Sequence, residues 1–132
     1  MTVTDAGVWI RAIVDEEPGG PVRTRLGEET SVASPALIDL EFTNVLRGLV
    51  AKGLISPRHA ERALSEFMQA PIQRYGHLAL LQRIWRLRSN LTAYDASYIA
   101  LTELLGDGNL ERLLRRVDRR LGRLFLEPAC TT

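Results

Sequence analysis

The chain has 132 residues, a net charge of +1 and 45% apolar residues. That content suits one compact domain over residues 1–132 and is too high for a disordered chain, while the near-neutral charge argues against a generic nucleic-acid coating protein. No apolar run approaches the roughly 20 residues that cross a bilayer, no signal peptide is expected, and the lone Cys130 cannot form an internal disulfide and fits a reducing, cytoplasmic setting.

Thr2–Thr4 predicts a short strand that delivers Asp5 at its C-terminal end. Val8, Trp9, Ala12 and Ile13 then recur at helical spacing. Glu16-Glu-Pro-Gly-Gly-Pro21 is a break, followed by a helix over Val22–Leu26 and a strand over Ser31–Ser34. Pro35 suits the first position of a helix capped by Ser34 and running to about Lys52, with Gly53 at its end. Ser56-Pro57 opens the next helix in the same way, with Ala60, Ala63, Leu64 and Phe67 as its apolar face. Pro71–Tyr75 predicts a third strand, and Leu78, Leu81, Ile84, Trp85 and Leu87 mark another amphipathic helix. Thr92-Ala-Tyr-Asp95 has capping-box spacing and opens a helix that ends near Gly106. Short strands alternating with helices indicate an α/β sandwich around a parallel sheet, in which ligands bind beyond the carboxyl ends of the strands.

Three acids stand out against this frame. Asp5 ends a strand, although aspartate is a poor strand residue. Glu41 shares a helix face with Asn44, and Leu37 and Val45 near that face suggest that it points inward; Asp39 should point elsewhere. Asp95 opens a helix, where the dipole favours a carboxylate. Buried together, these groups would need a counter-charge, and hard cations such as Mg²⁺ or Mn²⁺ prefer oxygen donors of this kind. Such an ion can activate water and neutralise charge on a phosphodiester. Two of the acids also have a plainer explanation: Asp95 as a helix cap, Glu41 as a solvated helix residue.

Thr2-Val-Thr-Asp-Ala-Gly-Val-Trp-Ile10, Leu37-Ile-Asp-Leu-Glu-Phe-Thr-Asn-Val-Leu-Arg47 and Ile84–Leu101, with its Leu91-Thr-Ala-Tyr-Asp-Ala core, resemble the PIN-domain ribonucleases and within them the VapC toxins of bacterial toxin–antitoxin pairs. The resemblance covers most of residues 1–106. It implies a PIN-like sandwich with a short parallel sheet flanked by helices, a Mg²⁺- or Mn²⁺-dependent endoribonuclease acting on RNA, a homodimer and a small cognate antitoxin. It places the metal-holding acids on Asp5, Glu41 and Asp95, a polar helper on Asn44 and a small hydroxyl residue on Thr92. Gly7 stands where the family commonly has serine, so one hydroxyl is missing.

Residues 107–132 diverge from the family pattern, which expects a buried strand and a fourth acid about 18 residues after the third. Asp118 is the first choice for that acid and Asp107 the second, and a site working with three acids or one with impaired metal binding are the remaining options. Leu110, Leu113, Leu114, Val117, Leu121 and Leu124 follow helical spacing, so a helix is expected there. Arginines 112, 115, 116, 119, 120 and 123 suit RNA phosphate or the solvated face of that helix. Sixteen of the 17 cations are arginine, which proteome bias explains as readily as phosphate binding.

Other classes match poorly. His59 and His77 lack partners at zinc-ligand spacing, no Gly-rich phosphate loop is present, and no aromatic stripe offers base stacking. A haloacid-dehalogenase-like phosphatase needs a second aspartate two residues after Asp5, where Gly7 stands, and a response-regulator receiver needs a late lysine, whereas Lys52 is the only one. The remaining alternative is a PIN-like binding module with impaired catalysis that still binds an antitoxin.

Overall fold

The computed structural model describes residues 1–106. Among the described residues three strands, β1 (Thr2–Val3), β2 (Val32–Pro35) and β3 (Ile72–Tyr75), form a parallel sheet in the order β1-β2-β3. Thr2 and Val3 pair with Val32 and Ala33, and Val32 to Pro35 pair with Ile72 to Tyr75. All four residues of β2 are buried, as a central parallel strand covered on both faces requires. Val32 faces one apolar layer, with Trp9, Ile38, Phe42 and Phe67, and Ala33 faces the other, with Val3, Leu80, Tyr98 and Leu101.

The helices supply those layers. On the first side lie α1 (Ala6–Ile10), which runs on through a π-helical turn (Arg11–Asp15), α3 (Ile38–Ala51) and α4 (Pro57–Gln69). A further helix, α2 (Pro21–Glu28), starts where the Glu16 carboxylate accepts the Val22 and Arg23 backbone N–H groups. On the second side lie α5 (Leu81–Arg86), preceded by a 3₁₀ turn at Leu78–Leu80, and α6 (Ala93–Leu105). Arg83 grips Glu103 through two hydrogen bonds of 2.6 and 2.9 Å and ties α5 to α6. Ser56 caps α4 by accepting the His59 N–H, and Gly106 ends α6 in the left-handed region at φ 66°. Among the described residues no helix is long and apolar enough to cross a membrane. The α/β class and the parallel sheet agree with the PIN-like expectation.

Three sequence expectations are corrected. Ser34 is not a helix cap: its hydroxyl donates to the Thr4 carbonyl at 2.5 Å inside the sheet, Pro35 is the last residue of β2, and α3 starts at Ile38. Pro35 is tolerated because β1 pairs no further than Ala33, so its missing N–H removes no β1–β2 bond. Val45 does not face inward; it is 40% exposed, and the buried stripe of α3 is Ile38, Phe42 and Leu46 at a spacing of four. The segment Leu78–Leu87 buries only Leu80 and Ile84, whereas Leu78, Leu81 and Trp85 are exposed, because the 3₁₀ turn shifts the phase of the apolar stripe. The helix expected over residues 107–124 lies outside the described residues.

Candidate active site

Asp5 leaves the sheet at the carboxyl end of β1, where open α/β sheets bind ligands. It is also the N-cap of α1, its Oδ1 accepting the Val8 N–H at 3.0 Å. The residue before it is pinned by a buried polar network. Thr4 Oγ1 accepts from Trp9 Nε1 at 2.9 Å and lies 3.1 Å from Ser34 Oγ. These bonds fix the exit of β1 against β2 and so fix the Cα of Asp5.

Glu41 sits half-buried in the first turn of α3, carried by the buried Ile38 and Phe42 on either side. Asp95 sits half-buried in the first turn of α6. Its backbone N–H donates to Thr92 Oγ1 at 3.2 Å, so Thr92 is the cap and the Asp95 carboxylate is left to favour the positive end of the helix. The capping role that the sequence offered to Asp95 thus belongs to Thr92 at α6 and to Asp5 at α1.

Tyr98 bonds one of these acids. It stands one turn after Asp95 on the same face of α6 and is 5% exposed. Its hydroxyl donates to Glu41 Oε1 at 2.7 Å, across 57 residues of sequence. Burial pushes its pKa well above the usual tyrosine value; the hydrogen bond to Glu41 and the negative charges of Glu41, Asp5 and Asp95 push it the same way. The phenol therefore stays a neutral donor to Glu41. Tyr98 carries no role in the motif-based assignment, and the available signal was its position three residues after Asp95.

The other candidates fall as follows. Asp39 points away, as expected, and binds Arg74 Nε at 2.7 Å. Asn44 is exposed on α3 one turn after Glu41, and Gly7 is exposed. Asp107, Asp118 and arginines 112–123 lie outside the described residues. Among the described residues no group of three or more His, Cys, Asp or Glu side chains is already arranged to hold a metal ion. A cavity of about 380 Å³ lies elsewhere, lined by Trp9, Ile13, Leu26, Val32 and Ala70, with none of the three acids on its wall.

No family model matches the chain. Individual relatives do. The chain is 35% identical over 118 residues to the VapC ribonuclease Mb0985 of Mycobacterium bovis, covering 89% of this chain and 90% of that protein. The same figures hold for ribonuclease VapC9 of Mycobacterium tuberculosis. The chain belongs to the VapC ribonuclease family. Ribonuclease VapC12 of Mycobacterium tuberculosis is 34% identical over 106 residues, 80% of this chain and 81% of that protein. The 118-residue matches are longer than the described segment, so the VapC likeness continues past Gly106.

Proposed function

We propose that this VapC family member is a Mg²⁺- or Mn²⁺-dependent endoribonuclease acting as the toxin of a toxin–antitoxin pair. The observation that carries the reading is the VapC likeness over 89% of the chain, together with Asp5 at the carboxyl end of β1 and the Tyr98–Glu41 hydrogen bond that joins α6 to α3. The donor chemistry suits a hard divalent cation, since all the side chains offered are carboxylates. A preassembled three-acid cage is not needed, because Mg²⁺ keeps several waters and takes one or two carboxylates directly. Asp5, Glu41 and Asp95 would hold the ion, directly or through water, and Asp118 is the candidate for a fourth acid.

When bound, such an ion supplies a water of lowered pKa and neutralises charge developing on the scissile phosphate. The chain's own residues do the positioning. Thr4, Ser34 and Trp9 hold the backbone that presents Asp5. Thr92 holds the first turn of α6 and with it Asp95, and Asn44 lies on the face of α3 that carries Glu41. The proposed partners are RNA, a second copy of the chain, and a cognate antitoxin that lays an amphipathic segment in an apolar groove between helices.

The test is cleavage of RNA by purified protein with Mg²⁺ or Mn²⁺, with chelator, and with Asp5→Asn. Asparagine caps a helix about as well as aspartate, so this variant removes the charge and keeps the cap of α1. Cleavage lost on both treatments is expected. Cleavage that survives both overturns the mechanism. A folded protein that binds an antitoxin but neither Mn²⁺ nor RNA substrate would be a binding module instead.

A further inference from the structure

Tyr98 is an expensive choice for its position if packing alone is served. Its ring lies in the apolar layer with Val3, Ala33, Leu80, Ile84 and Leu101. Phenylalanine would bury the same ring without desolvating a hydroxyl, which is costly unless a hydrogen bond offsets it. The offset is the 2.7 Å bond to Glu41 Oε1, in which the acceptor is an acidic side chain and the interaction is of the shorter, stronger class. The bond joins α6 to α3, the two helices that carry Asp95 and Glu41.

Glutamate has a long side chain, and ordering it costs rotamer entropy. A ligand that is ordered before the ion arrives does not impose that cost on binding. Protein groups that hydrogen-bond a ligating side chain from behind typically change metal affinity or activity about 10- to 100-fold when removed. The ring fills the core, and the hydroxyl reaches Glu41.

We propose that Tyr98 is a positioning residue, whose hydroxyl holds the Glu41 carboxylate in readiness for a divalent cation. The proposal rests on the metal-dependent reading above and adds to it a residue that touches neither ion nor RNA. It acts through Glu41 alone.

The experiment is Mn²⁺ titration of the wild-type full chain and of Tyr98→Phe by calorimetry, with thermal melting of both metal-free proteins and RNA cleavage at rising Mn²⁺. The expected result is Mn²⁺ affinity about 10- to 100-fold weaker in Tyr98→Phe, with cleavage largely restored at saturating Mn²⁺. A variant that binds Mn²⁺ as tightly as wild type overturns the proposal while leaving the metal-dependent reading intact, whatever its melting temperature. A wild-type chain that binds no Mn²⁺ overturns both. Should Tyr98→Phe fail to fold, the wild-type protein answers directly: Mg²⁺ addition shifts the ring carbon that bears the Tyr98 hydroxyl in a ¹³C NMR spectrum, and an unmoved resonance overturns the proposal.

Discussion

Replacing Phe67 by alanine strikes the layer that carries two of the three acids. The Phe67 ring is 1% exposed and stacks on Phe42 with centroids 4.0 Å apart and planes 6° from parallel. It meets Trp9 edge-on at 6.2 Å, and the Arg74 guanidinium lies 5.5 Å from its centroid. One side chain of α4 therefore joins α1, which Asp5 caps, to α3, which bears Glu41. Truncating a buried phenylalanine costs about 3–5 kcal/mol, and the lost aromatic pairs place this site toward the upper end. A small domain has only about 5–15 kcal/mol in total. With a urea m-value of about 2 kcal/mol/M, the unfolding midpoint should fall by roughly 2 M at unchanged m. Phe67→Leu, which keeps most of the volume, should lose less than half as much. The assay is urea unfolding followed by far-UV circular dichroism. A midpoint shift below about 0.5 M for Phe67→Ala, with m unchanged, would refute the claim that this ring ties the layer together.

Thr92→Ala removes the cap of α6 and should cost about 1 kcal/mol in the same unfolding assay; because the first turn holds Asp95, RNA cleavage should fall as well, and Thr92→Ser should recover both. Thr2→Val should destabilise the protein by about 1 kcal/mol at neutral pH, since the Thr2 hydroxyl donates to Glu29 Oε2 at 2.6 Å. That bond is the first cause of a Glu29 pKa below its ordinary 4.5, so the contribution is present above pH 4.5 and is lost as pH falls through the depressed folded-state value. The gap between wild type and variant in pH-dependent melting should therefore narrow only in acid; a gap independent of pH would count against this assignment.

Much of this architecture was readable from the sequence because it follows local rules. The caps at Ser56 and Thr92, the glycine after α6 and the apolar face of α4 all depend on neighbours within a turn or two. The start of α3 did not, because Ser34 gave its hydroxyl to Thr4, thirty residues away, instead of to the helix that follows. Val45 and Trp85 misled for a related reason: an apolar residue near a stripe is not in it when the phase of the helix differs by one position. At the site, spacing and family likeness picked out Asp5, Glu41 and Asp95, and could not show what lies among them. The Tyr98–Glu41 bond spans 57 residues, and no local pattern encodes a contact of that range.

The most direct measurement is anomalous diffraction from a crystal of the protein soaked in Mn²⁺. One ion is expected beside the Tyr98–Glu41 pair, with at least one of Asp5, Glu41 and Asp95 bound to it directly and the others directly or through water. A soaked crystal with no ion there, or with Mn²⁺ only at sites remote from all three carboxylates, would contradict it.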